Sequence, residues 1–145
     1  MMPILYATPG LIIEHDAPLH WLCLTWRGIH SSLAAQHCCA EVLAQVRATG
    51  STKILNDATE DCDGWEEGVP WLTKEFFHQL AGTGITTIAW VVPHNIRAYT
   101  ALNNAMSVTA WPVVTTFTDV EAAYTWLCKV KTVSEEPSSL KSSAW

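Results

Sequence analysis

The chain has 145 residues and a formal net charge of -6, with eight Lys and Arg against fourteen Asp and Glu. So few basic residues exclude a nucleic-acid binder, which needs a positive footprint on the phosphates, and argue equally against docking on an anionic membrane surface. The length suits a single domain able to bury a real core, and 49% hydrophobic with 15% charged residues suits a compact soluble protein.

In chain order, Leu11 to Glu14 is a short strand candidate and Leu19 to Trp26 a stronger one, apolar on both faces. The turn signal Asp16-Ala17-Pro18 joins them into a hairpin. Ser31-Ser32 supplies a helix cap, and Ala35, Cys39, Val42, Leu43 and Val46 follow helical spacing up to Gly50, which suits the residue past a helix end. Lys53 to Asp57 is the next strand. A second helix is expected from about Trp65 to Leu80, with Trp65, Val69, Leu72, Phe76 and Leu80 on one stripe, ending at Gly82 and Gly84. Ile85 to Val92 reads as a strand covered on both faces. Asn95 caps a third helix carrying Ala98, Tyr99, Leu102 and Met106, and Val113 to Phe117 is the last strand. Thr118-Asp119-Val120-Glu121 reads as a capping box opening a helix with Val120, Ala123, Tyr124 and Leu127 on one face.

The order β-β-α-β-α-β-α-β-α predicts an α/β fold: a mixed, mostly parallel sheet of about five strands with about four helices. Residues 1–130 form the expected domain, and the Ser-, Glu-, Pro- and Lys-rich residues 131–145 read as a disordered tail. The five cysteines are odd in number and lack a Cys-x-x-Cys pair, which speaks for a reducing compartment. With no basic start of a signal peptide and no apolar run near the ~20 residues of a membrane helix, a cytoplasmic protein without membrane insertion is expected.

Between positions 57 and 67 lie six acids, Asp57, Glu60, Asp61, Asp63, Glu66 and Glu67, with no base among them. This acidic stretch follows a strand, and in an open α/β sheet ligands and partners gather at the carboxyl ends of strands. A calcium loop with Gly64 as its sixth position places Asp61 and Asp63 correctly but makes the first position Thr59 and the twelfth Pro70, so that motif fails. Acids before a helix are favoured by its dipole in any case. The histidines show no paired ligand spacing, so no metal is assigned and no cofactor is expected.

Cys62 near a helix start is a candidate reactive thiol, with His94 as the base placed to serve it; the plain alternative is an ordinary thiol. Asn56, Asp57, His94, Asn95, Arg97, Thr118 and Asp119 gather at strand ends as a polar rim, with Arg97 able to hold an anion. The plain alternative is that Asn95, Thr118 and Asp119 cap helices, Arg97 pairs with a loop acid and Asp57 satisfies backbone donors. Trp71 on the second helix, with Phe77, lines either a pocket or dimer contact or sits under loops.

The phrases Trp21-Leu22 with Trp26-Arg27-Gly28, Ile54-Leu55-Asn56-Asp57, Ala89-Trp90-Val91 and Ala123-Tyr124-Thr125-Trp126-Leu127, in this element order, resemble the STAS-like fold of anti-sigma-factor antagonists, in the SpoIIAA-like and Sec14-like group of small bacterial domains. The resemblance covers Leu11 to Lys129. It implies a non-enzymatic regulatory or protein-interaction module, or alternatively a Sec14-like binder of a small apolar or amphipathic ligand. Its phosphorylated members carry Asp-Ser-x-Gly after a core strand; here Asp61-Cys62-Asp63-Gly64 puts a cysteine where that serine stands, so the usual phosphoswitch is not expected. The implied contact residues are Asn56, Asp57, Thr59, Asp61, Cys62, Asp63, Trp65, Trp71, His94 and Arg97, facing a protein partner, a small ligand or a second copy of the chain.

Overall fold

The computed structural model describes residues 2–28, 31–61, 75–92 and 112–130. Their elements are β1 (Ile4–Ala7), β2 (Leu11–Asp16), β3 (Trp21–Gly28), α1 (Ser32–Thr49), β4 (Lys53–Asp61), α2 (Phe77–Gly82), β5 (Thr87–Val91), β6 (Val113–Phe117) and α3 (Val120–Lys129). The six strands form one sheet in chain order, β1 to β6. The first two pairings are antiparallel and the last three parallel. The expected α/β class and mixed sheet are therefore present, with six strands rather than five and three helices among the described residues.

The extra strand is β1. Four residues between Pro3 and Pro9 carry too little pattern to be read alone, and β1 exists because it pairs with β2. The hairpin β2–β3 forms as expected. Leu19 N–H donates to Asp16 Oδ1 at 3.3 Å, and His20 takes the left-handed φ of 60° that closes the turn. α1 also follows its sequence signals. Ser31 caps it by accepting from Ala34 N–H, and Gly50, at φ 68°, returns its N–H to Val46 O.

Two expectations are corrected. β4 runs four residues past Asp57, because a bulge lets it keep pairing with β3: Thr25 faces Asp57, but Arg27 faces Glu60. The start of the acidic stretch is thus strand, not loop. The cap of α3 is Asp119, not Thr118. Asp119 has extended φ and ψ and its Oδ2 accepts from Ala122 N–H at 2.9 Å. Glu121 then falls at the second helical position, one short of where a capping box needs its acid.

Of the expected second helix, only α2 and the wider π-type turn at Glu75 and Phe76 are described. Its earlier part, the helix after Asn95 and the tail 131–145 lie outside the described residues.

Strand alternation splits the apolar side chains into two layers. Leu22, Leu24, Trp26, Ile54, Ala58, Ile88 and Trp90 face α1 and α2, together with Cys39, Val42, Val46, Phe77 and Leu80. Trp21, Cys23, Leu55, Ala89 and Val91 face Ala123 and Leu127 of α3. Each fully buried large side chain contributes about 1.5–3 kcal/mol against exposure, so the helices are held on the sheet chiefly by these two layers. Their joint effect is to fix the carboxyl ends of β3, β4, β5 and β6 along one edge.

Candidate functional site: the carboxyl edge of the parallel strands

Asn56 was expected on a polar rim at the strand ends. It is instead 2% exposed, on the α1/α2 side of β4. Its register neighbours are Leu24 on β3 and Trp90 on β5. Trp26 Nε1 donates to Asn56 Oδ1 at 2.7 Å. That bond fixes the amide orientation, since the flipped amide would set two donors against each other. Asn56 Nδ2 has no hydrogen-bond partner among the described residues.

Asp57, half-buried on the other face, holds the bulge closed. Its Oδ1 accepts from Thr59 N–H at 3.0 Å and from Thr59 Oγ1 at 2.7 Å. This Asx-type turn satisfies local backbone, as the plain reading of Asp57 anticipated. Glu60 pairs across the strands with Arg27 at 3.2 Å, with both side chains more than half in solvent or close to it. Such an exposed pair is worth about 0–1 kcal/mol. Asp61 closes β4, with its side chain outside the described residues. Cys62, Asp63, Trp65, Trp71, His94 and Arg97 also lie outside them, and with them the Cys62–His94 and Arg97 groupings.

Two clefts flank the first turn of α3. One, of about 300 Å³, is lined by Val92, Thr116, Phe117, Thr118 and Ala122 at the ends of β5 and β6. The other, of about 170 Å³, is lined by Asp57, Glu14, Cys23, Thr25, Leu55 and Val120, with Met2 and Leu24 beside them. A larger cleft of about 390 Å³ lies away from this edge, between β1 and the start of α1, against Tyr6, Leu33, His37 and Cys38. Phe77, expected with Trp71 to line a pocket or dimer contact or to sit under loops, is 1% exposed and packed with Phe76 in the α1/α2-side core.

The buried thiols are held in their protonated form. Burial, with smaller contributions from Glu14 and Asp16, pushes Cys23 up to about 12. Burial also raises Cys38, and raises Cys39 well above the ordinary thiol value. The thiolate is the nucleophile, so buried Cys23 and Cys39 are packing groups at neutral pH, while Cys38 is half-buried and lines the larger cleft. Among the described residues no group of three His, Cys, Asp or Glu side chains could hold a metal ion. Among them, too, no helix is long and apolar enough to cross a membrane.

Sequence reasoning missed Lys53. It is 8% exposed at the head of β4, and Nζ donates to the carbonyls of Leu127 and Val130 at 2.9 Å each. It sits 6.0 Å from the ring centre of Trp21, its register neighbour. Desolvation lowers its pKa from the ordinary value. Nothing local in the sequence reveals this, because both acceptors are more than seventy residues away. Asn56 did leave a signal: it is the polar member of the alternating set Ile54, Asn56, Ala58 on a buried strand face.

No protein-family model matches this chain, and no curated protein matches it.

Proposed function

We propose that this protein is a STAS-like cytoplasmic domain that acts by binding, as a small regulatory or protein-interaction module without a serine phosphoswitch. The observation that carries the reading is the state of the polar groups at the end of β4. Asp57 is committed to Thr59, Glu60 to Arg27 and Asn56 Oδ1 to Trp26. Asp57, held in place by Thr59, presents a fixed negative charge beside the Arg27–Glu60 pair, which suits recognition of a basic protein surface. The unbroken sequence of parallel pairings after an opening hairpin supports the STAS-like reading of the fold.

The test is parallel affinity capture with the wild-type chain and a Glu60→Gln/Asp61→Asn/Asp63→Asn variant. The expected result is one stoichiometric protein partner, retained by wild type at low salt, weakened at high salt and lost by the variant. A partner held equally by both chains overturns the acidic-edge reading.

The 390 Å³ cleft by Tyr6 and Cys38 favours the second reading, a binder of a small apolar or amphipathic ligand. Native mass spectrometry separates the two: a co-purified organic molecule released by His37→Trp, which fills that cleft, supports the carrier.

A further inference from the structure

Asn56 Nδ2 is an unusual polar group in the described core. The residue is 98% enclosed, one arm of its amide is fixed by Trp26 at 2.7 Å, and the other arm has no partner among the described residues. A buried donor left without an acceptor is costly, and native cores almost always supply one. The Trp26 bond accounts for the amide oxygen but not for the amide nitrogen, which points to an acceptor outside the described fold.

The place has a definite chemistry. Asn56 sits midway along β4, between Leu24 of β3 and Trp90, the last residue but one of β5. Trp90 flanks it in register on β5, and Trp26 lies diagonally on β3 on the same face. The basic side chains of β3 and β4 are committed elsewhere: Arg27 pairs with Glu60, and Lys53 holds two carbonyls on the opposite face. With no cation brought to bear among the described residues of β3 and β4, a carboxylate or phosphate would be poorly compensated there.

We infer that Asn56 Nδ2 donates to an uncharged acceptor oxygen, supplied by a small neutral molecule lodged between Trp26 and Trp90, with water the smallest such molecule. This goes beyond the partner-binding reading and does not depend on it.

Two measurements on the wild-type chain decide it. Native mass spectrometry, followed by denaturation, reads any organic molecule carried at one per chain. Rotating-frame NMR cross-relaxation between the Asn56 side-chain amide protons and water reads a trapped water. The chain has four asparagines, so the side-chain amide region is simple to assign. A stoichiometric neutral carbonyl- or hydroxyl-bearing molecule, with the Asn56 amide resonance shifting when it is stripped, supports the inference in its organic form. A long-lived water cross-peak without such a molecule supports it in its water form. In either case Asn56→Leu loses the signal completely. If that variant does not fold, the wild-type measurements still decide. An Asn56 amide bonded to a carbonyl of this chain, or showing neither signal, overturns the inference, as does a bound anion.

Discussion

At the scale of single residues, the described structure depends on a few long-range polar bonds placed inside apolar layers. Trp26→Phe keeps an aromatic ring but loses part of the buried volume and leaves Asn56 Oδ1 buried without its donor. It is expected to lower stability by about 1–3 kcal/mol, read as a lower urea midpoint with an unchanged slope. Lys53→Met keeps the aliphatic stem and removes both bonds to the carbonyls at the end of α3. Its cost is also expected near 1–3 kcal/mol, and amide exchange should speed up first in the last turn of α3. Arg27→Ala, by contrast, breaks only a solvent-exposed pair and should move the midpoint by less than about 1 kcal/mol. Ranking these three by chemical denaturation separates buried polar structure from surface charge.

At the scale of elements, most of what was legible in the sequence was local. α1 could be read because its cap, its apolar spacing and Gly50 all agree. β6 was read to its ends because Val113 to Phe117 lies between a proline and its helix cap. What could not be read depends on pairing or on competition between neighbours. β1 and the extension of β4 are defined by the strand beside them, and the bulge that permits the extension rests on Asp57 and Thr59. Within the candidate site, the service of Asp57 to backbone donors was foreseen, whereas the bond of Asn56 to Trp26 depends on a diagonal contact between β3 and β4 that no local pattern shows. The cap of α3 was a competition between Thr118 and Asp119, settled by which oxygen reaches Ala122 N–H. Substitution decides it directly: Asp119→Ala should cost about 1 kcal/mol, and Thr118→Ala only a few tenths, both measured by thermal and urea unfolding.

At the scale of the whole molecule, the buried thiols set a limit on alkaline stability. Cys23 keeps its proton in the folded state to about 12, against an ordinary 9.0 in the unfolded chain. Above that lower value the unfolded state binds fewer protons than the folded one, so stability falls as pH rises. One pH unit above it, Cys23 alone removes about 1.4 kcal/mol, and Cys39 acts in the same direction. Lys53 opposes them: its lowered pKa makes the folded state release a proton first, so stability rises with pH between that value and 10.5. Cys23→Ala isolates the thiol: the change in urea midpoint between pH 7 and pH 10 should be less negative in that variant than in the wild-type chain. The strand order carries a last consequence, for synthesis. Because β1 to β6 lie in the sheet in the order in which they occur along the chain, each strand leaving the ribosome meets a neighbour that has already been made. The sheet can lengthen one strand at a time from the first hairpin, without holding an early strand exposed while a distant partner is translated.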